Sequence, residues 1–217
     1  STNPATHPVL LNKLAEDFIE HGYDLRHTLK LIAMSATYAR SSITVDGNET
    51  DDRFYSHMIQ KPMEPAVLAD AISDVLGVAS QYGSEQYGTR AVELPDGSIR
   101  SDALDILGRC DRSKSCEGAP SPTGPLAQRL HLFNGGLLND RVGAVGSRLD
   151  QFIKAEMRPM EIVEDYYQTA LNRPPNEQEV RFLSMLLNPA KSSKEQRNLL
   201  GDFVWSIVTC KEFVTNH

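Results

Sequence analysis

Two cysteines near the middle of the chain are the residues whose type and spacing first suggest chemistry. Cys110 and Cys116 close the short loop Cys-Asp-Arg-Ser-Lys-Ser-Cys, and the third cysteine, Cys210, lies far along the chain. In an oxidising compartment the pair would form a local disulfide, and otherwise the two are unrelated thiols. A metal site is the third interpretation, although no histidine lies nearby and Cys-x-x-Cys-His, the motif for covalent haem, is absent. The three interpretations stay open, and we assign no metal ligand from the sequence.

The six histidines form none of the spacings that zinc hydrolases use. They stand at positions 7, 21, 27, 57, 131 and 217, so neither His-x-x-x-His nor His-Glu-x-x-His occurs. His21 and His27 flank a turn between two predicted helices, where a capping or half-buried role is the simpler interpretation. The sequence also has no Gly-x-Ser-x-Gly, no phosphate loop and no dinucleotide-binding glycine pattern.

Acidic, amide and hydroxyl side chains alternate over residues 46–52, as they do in a calcium-binding loop. An EF-hand also needs glycine at its sixth position and glutamate at its twelfth. This sequence has Asp51 and His57 at those positions. The segment is therefore a solvated acidic loop or a looser calcium site.

Composition and charge narrow the classes of partner. The 217 residues are 40% hydrophobic, and 22 basic against 29 acidic side chains give a net charge of −7. A net acidic chain is a poor electrostatic match to nucleic acid, so we expect no nucleic-acid partner. No run of 18 apolar residues occurs, which predicts that nothing here spans a membrane. The negative charge lies in residues 1–124, with 11 basic and 18 acidic side chains, whereas residues 125–217 hold 11 of each.

Apolar side chains recur with helical spacing along most of the chain, which predicts a mostly α, irregular multi-helix fold ending in a helical bundle. Gly22 ends the first helix and Asp24 caps the second, so the two form a tight αα-hairpin. Asn176 and Glu179 have the spacing of a capping box. The predicted helices cover about 8–21, 24–40, 64–80, 102–107, 126–131, 145–156, 159–171, 176–187 and 193–209.

A short β-hairpin near residues 91–100 is the exception, because short β-prone runs flank Pro-Asp-Gly there. Residues 109–124 combine the two cysteines with glycines and prolines at the point where the charge balance changes. We therefore expect an N-terminal helical subregion (1–108), a cysteine-containing loop (109–124) and a C-terminal helical subregion (125–217). They are expected to form one domain, since each half alone has few helices to bury its apolar stripes.

Seven short segments, taken in order, resemble motifs of one protein family. They read NPATHPVLL, SATYARSS, AVLADAI, GRCDRSKSCE, LAQRLHLFNG, RPP with a following Glu179, and CKEF, at residues 3–11, 35–42, 66–72, 108–117, 126–135, 173–179 and 210–213. Each motif is weak, but together they are specific. The chain resembles the domain of unknown function 1553 over nearly all of its length.

The resemblance implies a context rather than an activity. The family is typical of planctomycetes and usually follows domain 1549 and a cytochrome c domain in large exported proteins. It implies an extracytoplasmic location, periplasmic or secreted, with an N-terminal part of the family domain missing from this chain. It also implies no cofactor in this chain and any haem in an upstream domain. This chain departs from the family at two places. Cys110 stands where the family has proline, and residues 118–120 stand where the family has its second cysteine, an acidic residue and arginine. Our hypothesis is that a Cys110–Cys116 disulfide replaces the family's Cys-x-Cys element.

We expect an exported binding or scaffolding module that works beside a redox or polysaccharide-handling partner. We expect the molecule that it binds to be a protein or a polysaccharide. The alternative is part of an enzyme acting on extracellular, including sulfated, polysaccharide. Its candidate ligand-binding residues are His7, Arg109, Arg112 and His131.

The two arginines would grip an anionic group bidentately, although salt bridges to the acidic N-terminal half are the competing interpretation. A second alternative is a haem or electron-transfer docking module, because acidic patches steer basic redox partners.

Overall fold

Helices account for nearly all of the regular structure, as the spacing of apolar residues predicts. The structure is a computed structural model that describes residues 4–51, 53–95, 99–109, 136–187 and 192–216. The described residues form two compact units, one up to Lys61 and the other from Pro62 to Asn216. The predicted mostly α fold is confirmed. None of the described helices is both long and apolar enough to cross a membrane.

The first unit is built on the predicted helical hairpin. Helix α1 is Pro8–Glu20 and helix α2 is Leu25–Ala33. Between them Gly22 and Tyr23 both adopt left-handed backbone angles, with φ of 64° and 65°, which reverses the chain within a few residues. The Asp24 carboxylate then accepts hydrogen bonds from the backbone N–H groups of Arg26 and His27, at 2.8 and 3.2 Å.

Helix α2 is shorter than the sequence predicts. We expected it to reach about residue 40, but it ends at Ala33 and turns follow. The Ser35 hydroxyl accepts a hydrogen bond from the backbone N–H of Tyr38 at 3.2 Å. Such a local side-chain bond competes with the helical ladder for the same donor.

The two helices of the first unit bury none of their side chains. Each residue of α1 and α2 is half-buried or exposed. On the predicted apolar face of α1, Leu10, Leu11 and Ile19 are 52%, 56% and 58% exposed. The apolar surface of this unit is therefore available for something else to cover.

The second unit contains eight further α-helices among the described residues: α3 Pro65–Leu76, α4 Asp102–Ile106, α5 Gly136–Val142, α6 Arg148–Lys154, α7 Pro159–Leu171, α8 Glu177–Leu187, α9 Ser193–Thr209 and α10 Lys211–Val214. The predicted capping box of α8 is confirmed, because Asn176 Oδ1 accepts from the Glu179 N–H at 2.9 Å and the Asn176 N–H donates to the Glu179 carboxylate at 2.7 Å. The cap of α9 is Ser192, whose hydroxyl accepts from the Glu195 N–H at 3.2 Å.

The small amount of β-structure lies at other residues than predicted. Two strands of two residues, β1 Lys61–Pro62 and β2 Thr215–Asn216, form the sheet. The segment predicted as the first hairpin strand, Ala91–Glu93, is a 3₁₀ turn. The reason is Asp70, whose buried carboxylate accepts from the N–H groups of Ala91 and Val92 at 2.7 and 3.2 Å and so caps the turn. Residues 96–98 of the predicted hairpin lie outside the described residues.

The hydrophobic core of the described residues lies in the second unit. Helix α9 packs against α5, α7 and α8, and α3 packs against α4 and α7. Ile72 of α3, Val163 and Tyr166 of α7, and Val204 and Val208 of α9 are completely buried. This core positions the second unit's polar side chains.

The predicted cysteine loop falls on residues that the structure does not describe. Residues 110–135 include Cys110, Cys116 and the predicted helix at 126–131. The disulfide and the division into 1–108 and 125–217 therefore stay predictions. Cys210 is half-buried, and burial raises the pKa of its thiol, which disfavours the reactive thiolate.

Candidate functional site

A mostly apolar groove of about 940 Å³ lies within the first unit. It is formed by both helices of the hairpin, by the turns that follow α2 and by residues 55–58. Its apolar lining includes Leu10 and Leu14 of α1, Leu31 and Ile32 of α2, and Met34 and Met58. This volume is at the upper end of the range for ligand pockets.

A turn organised by Asp51 supports the wall at residues 55–58. The Asp51 carboxylate accepts from the backbone N–H groups of Arg53, Phe54 and Ser56, at 3.1, 2.7 and 2.9 Å. Hydrogen bonds from Ser56 and from the Phe54 backbone hold the pKa of Asp51 well below its usual range. The Tyr55 carbonyl in turn accepts from Arg40 Nη1 at 2.7 Å. The acidic segment thus uses Asp51 to shape the loop that faces the groove.

The residues suggestive of a calcium loop also bind their own turn. Asn48 Oδ1 accepts from the Val45 N–H at 2.7 Å, and the Glu49 carboxylate accepts from the Gly47 N–H at 3.0 Å. Side chains used in this way order the loop rather than converge on a shared centre. Asp52 lies outside the described residues.

One polar atom of the groove wall is left without a partner. His57 lines the groove, and its Nδ1 lies 3.0 Å from the Met58 carbonyl oxygen. A carbonyl oxygen can only accept, so Nδ1 is the donor and Nε2 carries the lone pair in the neutral ring. Nε2 is buried and has no hydrogen-bond partner among the described residues. An unpaired buried acceptor costs about 1–3 kcal/mol.

Two lysines give the groove a basic character. Lys13 of α1 and Lys30 of α2 both line it. Neither ammonium group has an ion-pair partner among the described residues. The carboxylate of Asp17, which also lines the groove, is engaged by His27.

The turn between α1 and α2 brings together a carboxylate and two imidazoles. Asp17 lies in the last turn of α1, His21 is the residue directly after the end of α1, and His27 lies in the first turn of α2. His27 Nε2 lies 3.0 Å from Asp17 Oδ2, and His21 Nδ1 lies 3.4 Å from Asp17 Oδ1. The two imidazole rings stack with their centroids 3.8 Å apart and their planes at 14°. One ligand atom from each of the three residues lies within 4.8 Å of the others.

Sequence reasoning missed this set of three residues. It noted that His21 and His27 flank the turn but treated each histidine alone. The signal was available in the spacing, since Asp17 and His21 are four residues apart on a helix and a short turn returns His27 to the same end. Only the double left-handed turn at Gly22 and Tyr23 decides that the rings meet.

The four residues proposed from the sequence as a ligand site are placed as follows. His7 precedes α1 in the first unit, exposed, with Nδ1 3.0 Å from the Thr6 hydroxyl and its ring 6.3 Å from that of Phe54. Arg109, in the second unit, donates to the Asp105 carboxylate at 2.7 Å and to the Ile99 carbonyl at 2.7 Å. Arg112 and His131 lie outside the described residues, so the four-residue site stays a prediction.

The best-connected cation of the second unit is engaged in internal contacts. The Arg173 guanidinium donates two hydrogen bonds to Glu212, at 2.7 and 2.8 Å, and two to Glu179, at 2.9 and 3.0 Å. It also lies over the Tyr167 ring at 5.2 Å. Burial raises the pKa of Tyr167 to about 12, so this phenol stays protonated. The fifth N–H of the guanidinium donates to the Pro174 carbonyl at 3.2 Å. The cluster therefore links the chain after α7 to α8 and α10 and leaves no guanidinium donor free for a ligand.

Fold and site together define a helical protein with an apolar, lysine-bearing groove in its first unit. The chain belongs to the PSD1 family, described as a protein of unknown function (DUF1553), whose match covers residues 1–187. The family indicated by the sequence motifs is thereby confirmed, although the closing CKEF segment lies beyond the matched range. Neither the curated proteins nor the solved structures give a significant match to this chain.

Proposed function

We propose that this chain is a binding module whose groove takes the apolar face of an acidic amphipathic helix from a protein partner. The observation that carries the proposal is the exposed apolar surface of the first unit, since neither α1 nor α2 has a buried residue. Apolar surface of this kind on a protein usually marks an interaction site.

The shape and lining of the groove favour a helix as the occupant. A volume of about 940 Å³ suits a row of several apolar side chains, such as the i, i+3, i+4 and i+7 anchors of a helix laid in a groove. Met34 and Met58 line it, and methionine adapts its shape to different apolar partners.

The charges favour an acidic partner. Lys13 and Lys30 lie on the two helices that form the groove. Carboxylates on the flanks of a bound helix would meet these ammonium groups at the rim, where they set orientation and partner choice.

The family resemblance supports the wider context of this proposal. We propose that the module is exported and works beside a redox or polysaccharide-handling partner. The roles in polysaccharide chemistry and in haem or electron-transfer docking stay alternatives, and neither draws on the groove.

The test is the binding of a designed peptide to the full chain. The probe is a fluorescent helical peptide with leucine at i, i+3, i+4 and i+7 and glutamate elsewhere, measured by fluorescence anisotropy. We expect a Kd in the micromolar range, about −8 kcal/mol. The double variant Lys13→Glu/Lys30→Glu is expected to bind about tenfold more weakly, since two lost charge pairs at a rim are together worth up to about 2 kcal/mol.

Two controls make the result decisive. Arg26→Glu makes one such charge reversal at an exposed residue of α2 outside the groove lining and should leave the affinity unchanged. A peptide of the same composition in scrambled order should bind at least tenfold more weakly. Equal binding of both peptides, equal loss in Arg26→Glu, or concentration-dependent self-association that covers the groove would contradict the proposal.

A further inference from the structure

We propose that Asp17, His21 and His27 bind a divalent transition-metal cation of the zinc type, and that this cation staples α1 to α2. The three side chains come from both helices of the hairpin, so one ion held by all of them would link the two helices directly. This inference does not rest on the occupant of the groove.

The donor set suits such a cation. Two imidazoles and one carboxylate are borderline ligands that zinc, cobalt and iron(II) accept, whereas calcium and magnesium prefer oxygen alone. One ligand atom of each residue lies within 4.8 Å of the others, and the two stacked rings have to tilt apart for both lone pairs to meet a cation at metal–ligand distances of about 2.0–2.2 Å. Three protein ligands leave a fourth position for water.

The hydrogen bond of His21 is the kind that orients a metal ligand. His21 Nδ1 lies 2.9 Å from the backbone carbonyl oxygen of Asp17. Since that oxygen can only accept, Nδ1 carries the proton and Nε2 is left with the lone pair that a metal needs. Histidines that bind metals usually donate their other N–H to a carbonyl or a carboxylate in this way.

The first unit also has a physical use for a staple. Helices α1 and α2 contain 13 and 9 residues, and isolated helices shorter than about 12–15 residues are marginal in water. Neither helix has a buried residue to hold it. Metal binding converts its own free energy into folding free energy in small units of this kind.

The experiment is a Co²⁺ titration of the full chain, free of any polyhistidine tag and stripped with chelator, followed by competition with Zn²⁺. We expect one equivalent of Co²⁺ to bind and to give visible ligand-field absorption, which Zn²⁺ then removes. His21→Gln and His27→Gln should each weaken binding at least tenfold, and Zn²⁺ should raise the far-UV helical signal of the wild-type chain but not of these two variants.

His7→Gln is the matched control, because it removes an exposed histidine of the same unit that lies outside the cluster. It should bind cobalt as the wild-type chain does. Asp17→Asn keeps almost the same shape, so it tests the carboxylate ligand with little risk of unfolding the chain. It should also weaken cobalt binding. Absence of cobalt absorption, or wild-type affinity in His21→Gln/His27→Gln, would overturn the proposal. Intense thiolate charge-transfer bands that survive in that double variant would also overturn it, because they would assign the metal to cysteine.

Discussion

A buried carboxylate on α6 shows how single residues organise the second unit. Asp150 is buried, and it accepts from the Gly146 N–H at 2.9 Å, from Lys154 at 2.8 Å and from Arg197 at 3.1 Å. These donors, the Gly146 backbone first, lower the pKa of Asp150 from its ordinary value of 3.8 to about 2. The carboxylate therefore joins the turn before α6, the end of α6 and α9.

The depressed pKa of Asp150 predicts a pH dependence of stability. The native state holds the ionised form more tightly than the unfolded state does, so its stabilising contribution is complete above about pH 4. That contribution is lost as the pH falls toward 2, where the native carboxylate takes up a proton. We expect Asp150→Asn to lower the thermal midpoint at pH 7, and the gap from the wild-type chain to shrink between pH 4 and pH 2.

Calorimetry or circular dichroism at pH 7, 4 and 3 would measure that gap. Asp202→Asn is the matched control, an exposed carboxylate on α9, and it should stay within about 0.5 kcal/mol of the wild-type chain at pH 7. A gap for Asp150→Asn that is constant across this pH range would contradict the assigned role.

For single residues, the sequence predicts only contacts between side chains that are close together in the chain. The Asn176–Glu179 capping box follows from spacing alone and is confirmed. The pairing of Asp150 with Arg197 cannot be predicted from spacing, because the two residues are 47 positions apart and meet only through packing. The cluster of Asp17, His21 and His27 is also hard to predict, because the position of His27 depends on the geometry of a turn.

Helix ends in this protein are set largely by capping side chains. Asp24, Ser101, Ser147 and Ser192 each accept a backbone N–H of the helix that follows, and Asn176 does so for α8. Such caps satisfy donors that have no partner within the helix. They explain why the predicted starts of helices agree with the structure better than some of the predicted ends.

Removal of the α8 cap should have a measurable cost. Asn176→Ala is expected to lower the free energy of unfolding by about 1 kcal/mol, because two N–H groups lose their acceptor. Asn176→Asp should retain most of the stability. Urea unfolding would measure both, with Gln178→Ala as a control at an exposed position of the same helix. If Asn176→Ala and Gln178→Ala unfold alike, the cap contributes nothing.

Elements that depend on distant residues are the ones the sequence predicts wrongly. Residues 91–94 have strand-like composition, yet Asp70 of α3 caps them as a 3₁₀ turn from 21 residues away. The strands that do form pair residues 61–62 with 215–216, a sequence separation that no hairpin pattern can signal.

Stability in the molecule as a whole is divided unevenly between the two units. Every buried hydrophobic side chain among the described residues lies beyond residue 62, from Leu68 to Phe213. The groove and the histidine cluster both lie in the unit without such a core. Binding surfaces are often drawn from regions of low local stability.

A pair of leucine substitutions would test this division. Leu200→Ala, at a residue of α9 that is 2% exposed, is expected to cost about 2–5 kcal/mol through lost burial and the cavity left behind. Leu29→Ala, at a residue of α2 that is 65% exposed, should cost less than about 0.5 kcal/mol. Chemical unfolding of both variants would measure the difference. Similar losses for the two would show that the first unit has a core of its own.

The site could not be predicted at this scale because a groove is a property of assembled surfaces. Spacing indicated that Leu10 and Leu14 share a face of α1, and it predicted burial in a core. The structure instead leaves that face lining a groove. Amphipathic periodicity marks a surface to be covered but does not say by what.

The match to the family ends at residue 187, but the packed interior does not. Helix α9 contributes Leu200, Phe203, Val204, Ile207 and Val208 to the core, and Glu212 of α10 binds Arg173 on the matched side. A fragment ending at residue 187 would expose the inner faces of α5, α7 and α8 and would leave Arg173 without Glu212, one of its two carboxylate partners. The part of this chain that shares one packed interior therefore extends past the matched range and includes α9 and α10.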